Sequence, residues 1–68
     1  KTKTYTVNPG EKVTITMNPG DEMTAEGPVT SRARGQEQTV NPGETVRVNE
    51  PGTFTLESDR PVTVKIQH

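Results

Sequence analysis

A chain of 68 residues with no cysteine holds one domain at most, and neither a disulfide nor a thiolate metal site can brace it. Only 25% of its residues are hydrophobic, and its formal net charge of −1 gives no reason to expect nucleic acid, an anionic membrane or a polyacidic partner. No run approaches the ~20 apolar residues of a membrane span, and Lys1-Thr2-Lys3-Thr4 lacks the apolar stretch of a signal peptide.

Strict alternation dominates what remains. In the first half the apolar residues are Tyr5, Val7, Val13, Ile15, Met17, Met23, Ala25, Val29 and Ala33, all odd-numbered. In the second half they are Val40, Val46, Val48, Phe54, Leu56, Val62, Val64 and Ile66, all even-numbered. Successive side chains of a strand point to opposite faces, so a period of two predicts strands with one buried face. No window carries the i, i+3, i+4, i+7 spacing of an amphipathic helix. Threonine, which is β-branched and suits the exposed side of a strand, fills many intervening positions, Thr4, Thr6, Thr14, Thr16, Thr55 and Thr63 among them. Strands are predicted at 2–7, 12–17, 22–26, 29–34, 37–41, 45–49, 53–57 and 62–67.

The connectors are as regular as the strands. Pro9-Gly10, Pro19-Gly20, Pro42-Gly43 and Pro51-Gly52 each interrupt the pattern. Proline sets φ for position i+1 of a type II turn and glycine supplies the positive φ at i+2. Val7 and Val13 flank a five-residue connector, and an odd connector keeps both on one face. Such segments are wide hairpin loops or arches between two facing sheets. Pro28 and Pro61 open strands, where a missing amide donor is tolerated, and Arg34-Gly35-Gln36 joins the two halves.

Those halves repeat. Thr6-Val7-Asn8-Pro9-Gly10-Glu11 recurs 33 residues later as Thr39-Val40-Asn41-Pro42-Gly43-Glu44, and Pro28-Val29-Thr30 recurs as Pro61-Val62-Thr63. The odd offset explains the change of parity. The predicted fold is all-β: one domain over 1–68, a compact eight-strand sandwich or jelly-roll-like barrel made of two pseudo-repeated four-strand units, 1–34 and 35–68.

Little in the chain offers chemistry. His68 is the one histidine and the last residue, a position more suited to a mobile end than to a general base. There is no cysteine nucleophile, Gly-x-Ser-x-Gly elbow, phosphate loop or dinucleotide fingerprint. Asp21-Glu22 and Glu57-Ser58-Asp59 could offer oxygens to a hard cation, but without EF-hand spacing they read as solvated loop acids. No catalytic, cofactor-binding or metal-ligating residue is assigned, and the chain is read as a non-enzyme with no cofactor. Arg32, Arg34, Arg60 and Lys65 are the basic residues that could contact a partner. The repeat matches Arg32 with Lys65, so the two could lie near each other across a pseudo-twofold axis. Their bland reading is a solvated strand face. Tyr5 could anchor a contact, with a core-edge tyrosine as the plainer role. Met17 and Met23 are read as core fillers near one end.

The leading functional reading is a non-enzymatic structural or interaction module, since a thin core without staples turns to association for support. The Thr-rich strands, the repeated Asn-Pro-Gly connectors and the modest core resemble small phage and viral virion proteins of the capsid decoration (cement) type. That resemblance is one of style along the whole chain and implies a domain bound at capsid subunit junctions, often as a trimer, reinforcing the shell. The expected partners are then proteins: further copies of the chain, a trimer among the options, or a capsid-like assembly, with the virion as location. Membrane is excluded and nucleic acid disfavoured. The alternative is a designed β-sandwich or jelly-roll scaffold. Regular turns and alternation favour it, while the imperfect repeat, the methionine pair and the lightly filled core count against it. A third reading, a carbohydrate- or nucleic-acid-binding accessory module, needs an aromatic platform that only Tyr5 and Phe54 could supply.

Overall fold

The computed structural model describes all 68 residues and contains eight strands: β1 (Thr2–Val7), β2 (Val13–Met17), β3 (Glu22–Ala25), β4 (Val29–Ala33), β5 (Gln36–Val40), β6 (Thr45–Arg47), β7 (Gly52–Glu57) and β8 (Val62–Gln67). They form two four-stranded antiparallel sheets, in the orders β1-β8-β3-β6 and β2-β7-β4-β5. This is the predicted sandwich, wound as a jelly roll. Only β4 and β5 are joined by a hairpin within one sheet; the other six connections cross from one sheet to the other. The odd-length connectors are therefore arches, and each flanking apolar pair points into a shared core.

The alternation translates directly into burial. Val7, Ile15, Met17, Met23, Ala25, Val29, Val40, Leu56, Val62, Val64 and Ile66 form the core, with Tyr5, Val13, Val46, Val48 and Phe54 half-buried against it. No large hydrophobic residue is exposed. Threonines face each other on the outside, as in the pairs Thr14–Thr55, Thr16–Thr53 and Thr6–Thr63.

Three of the four Pro-Gly segments are type II turns closed by i to i+3 backbone bonds: the amides of Glu11, Asp21 and Glu44 donate to the carbonyls of Asn8, Asn18 and Asn41. Gly10, Gly20 and Gly43 have φ of 79°, 91° and 85°. The acid that ends each turn reaches back to its start. Asn18 and Asn41 donate their amides to Asp21 and Glu44 at 2.9 and 2.7 Å, and the Asn8 side chain donates to Glu11 at 3.0 Å. The fourth segment departs from the prediction. Gly52 opens β7 opposite Met17, which demands extended backbone, so Pro51-Gly52 is not a type II turn. One extra residue, Glu50, precedes this proline and shifts the glycine out of the turn and into the ladder.

The repeat is structural. Moving four strands along the chain converts β1-β8-β3-β6 into β5-β4-β7-β2, which is the other sheet read backwards. Pairings follow: Tyr5–Val64 corresponds to Gln38–Ser31, and Val13–Leu56 to Val46–Met23. One ladder breaks the symmetry. Met23 stands opposite Ile66, whereas its counterpart Leu56 stands opposite Ser31, two residues short of Ala33.

Candidate functional site

The arches after β2 and β6, the β4–β5 hairpin and the Lys1 and His68 ends gather at one end of the sandwich, because Met17 pairs with Gly52, Ala33 with Gln36, and Gln67 with both Thr2 and Glu22. The pseudo-twofold makes this end two related halves, and they are built differently.

In one half the closure is polar. Asp21 is only 7% exposed. It accepts the Asn18 amide at 2.9 Å and lies 3.1 Å from His68 Nδ1. The Asn18 hydrogen bond holds its carboxyl below the ordinary value of 3.8; burial opposes this and His68 adds to it. The expectation that Asp21 is a solvated loop acid is thus corrected. Its carboxylate is a tether between a turn and the end of β8. His68 is tied in as well, its amide donating to the Lys1 carbonyl at 2.8 Å. A carboxyl with a depressed folded pKa stabilises the protein above its unfolded value and loses that contribution as pH falls through the folded one. Unfolding free energy is therefore expected to decline from about pH 4 downward, and Asp21→Asn to flatten that acid limb; urea titrations from about pH 2 to pH 7 read both.

In the other half the closure is open. Arg34 and Gly35 form a two-residue hairpin with φ of 53° and 74°, the double positive of a type I′ turn. Arg34 reaches across to the arch after β6, donating to the Pro51 carbonyl at 2.8 Å and pairing with Glu50 at 3.3 Å. Beneath lies a pocket of about 290 Å³, partly open to solvent and lined by eleven residues, of which only Ala33, Val48 and Phe54 are hydrophobic and Ser31 is one of the polar ones.

The other basic residues do not assemble into a site. Arg32 pairs with Glu37 at 2.9 Å and lies 3.8 Å from Glu57 on the outside of one sheet, and Lys65 lies 3.8 Å from Glu26 on the outside of the other. The Arg32–Lys65 proximity that the repeat allows does not arise, because the pseudo-twofold exchanges the sheets and sends their outer faces in opposite directions. Arg60 sits beside Asp59 in the β7–β8 connection, at the far end. Tyr5 is half-buried on β1 with Lys3 Nζ 5.5 Å from its ring centre. Asp21 and Ser31 are buried polar residues: the sequence offers Asp21 only as a loop acid and does not single out Ser31, although both have the odd, inward number of the first half.

Two antiparallel four-stranded sheets wound in this order place the chain among the double-stranded β-helix proteins. A solved structure of that kind is similar along almost the whole chain: a de novo designed double-stranded β-helix determined by solution NMR, 32% identical, covering 98% of this chain and 96% of its own, with a TM-score of 0.79. No protein-family model and no curated protein matches the sequence.

Proposed function

We propose that this chain is a designed double-stranded β-helix scaffold, whose task is to fold as a self-sufficient jelly roll rather than to serve a natural partner. The observation that carries this reading is the 32% identity to a de novo design of the same fold, spread over 98% of the chain. The local chemistry supports it. Three connectors use the same Asn-Pro-Gly-acid turn and the single hairpin is a two-residue loop, the choices made when a backbone is idealised and each turn given the residues it demands. The edges of one sheet are blunted in the usual ways: Lys3 on β1, only three residues in β6, Arg47 at its end. A capsid-docking role would call for anchors of the buried-aromatic kind, and no large hydrophobic residue is exposed to provide one.

The test is light scattering combined with thermal melting over a wide concentration range. The expected result is a 7.4 kDa monomer that unfolds reversibly at a temperature independent of concentration and above the about 45–65 °C range of mesophile domains. A trimer, or a midpoint that climbs with concentration, overturns the scaffold reading and restores the assembly one.

A further inference from the structure

The two copies close their common end with different bulk. On β8 the inward side chains toward that end are Val64 and Ile66, with His68 beyond them; 33 residues earlier stand Ser31 and Ala33 on β4, with Gly35 beyond them in the hairpin turn. Every exchange replaces a large side chain by a small one. Phe54, which stands where the other copy has Asp21, refills only part of the space. The cavity of about 290 Å³ is what remains, and it coincides with the one ladder whose register departs from the symmetry.

Its lining has the makings of a binding site. Phe54 and Val48 provide an apolar wall. Ser31 is 4% exposed, yet its hydroxyl has no partner within the protein. Because no sealed side-chain polar atom lacks a hydrogen bond, that hydroxyl opens onto the cavity. At the rim Arg34 pairs with Glu50, and Glu37, which also lines the pocket, pairs with Arg32, so each charge there already has a partner and none is left to offset a charged guest brought against the floor. Size narrows the class further: an enclosed apolar cavity of about 150 Å³ accommodates benzene, and this pocket, although partly open and mostly polar in its lining, has the volume for one or two fused rings.

We propose that this cavity binds a small, neutral, planar aromatic molecule bearing one hydrogen-bonding group, with its ring against Phe54 and Val48 and its polar group on the Ser31 hydroxyl. The site goes beyond the scaffold reading and does not depend on it.

Indole is the probe, titrated into the isotopically labelled full chain and followed by amide chemical shifts. Saturable shifts are expected at Ser31, Ala33, Val48 and Phe54, with none at Asn8–Lys12 at the opposite end. Ser31→Ala, which removes the hydroxyl and leaves the space, is expected to weaken binding about threefold to tenfold. Ala33→Ile, alone and with Ser31→Val, fills the space after the example of β8. It is expected to weaken indole by about tenfold or more while raising the melting temperature. Shifts that do not saturate, that scatter over both ends, or that persist unchanged in the filled variants overturn the proposal. If the filled variants fail to fold, Ser31→Ala decides alone: unchanged indole affinity there also overturns it.

Discussion

Leu56→Ala is expected to remove about 3 kcal/mol of unfolding free energy. Leu56 is fully buried on β7, between Val13 on one side and Ser31 on the other. Two ladders hold it there, so neighbouring strands cannot close over the space that a lost isopropyl group leaves. Truncations of this kind therefore carry a cavity cost as well as a transfer cost, and span about 2–5 kcal/mol. The whole domain, at 68 residues, is expected to have only about 3–10 kcal/mol in hand. One methyl-bearing side chain thus decides whether the fold is comfortable or marginal. Urea unfolding measures this, with Thr14→Ala as the control because Thr14 lies on the same sheet and faces outward. The control is expected to change stability by less than about 1 kcal/mol. Similar losses for the two variants, or less than about 1 kcal/mol for Leu56→Ala, would show that the inward face has been misassigned.

The contrast between Leu56 and Thr14 is legible in the sequence, because a period of two needs no knowledge of which strands pair. Each strand carries its own record of which side is wet. The same logic places the arches: an odd connector between Val7 and Val13 keeps both inward only if the chain changes sheets or loops widely. Strand order is out of the sequence's reach, since β1 pairs with β8 at the far end of the chain and nothing local to either says so. The separation of Arg32 from Lys65 has the same root. The repeat correctly matches them, but whether a twofold axis brings outer faces together or apart depends on sheet order. Asp21 and Ser31 are hidden for a different reason. Their numbers have the inward parity, but a carboxylate and a hydroxyl belong by chemistry on the surface, and only the packing decides between position and chemistry. At both places the polar side chain is what differs between the copies, which is why the candidate site lies there.

Gly43→Val is expected to cost about 2 kcal/mol, and Gly52→Ala close to nothing. Both residues follow a proline, and the sequence alone treats them alike. Gly43 has φ of 85° and open space where a Cβ would stand, with no heavy atom within 4 Å. Any penalty there is conformational: an L-residue in the left-handed region loses about 1–2 kcal/mol, and a β-branched one more. The turn also cannot yield easily, because its closing bond, the Glu44 amide to the Asn41 carbonyl, and the Asn41 amide to Glu44 Oε1 both require the same bend. Gly52 is extended in β7, and a Cβ there would meet the Phe54 ring edge at 3.4 Å, an ordinary contact. Stiffening the unfolded chain by Gly→Ala is worth about 0.4–1 kcal/mol and offsets what little crowding arises. Thermal unfolding of the two variants separates the effects. Equal destabilisation would mean that Pro51-Gly52 bends as the other three turns do, that β7 begins later, and that the register of β2 against β7 must be redrawn.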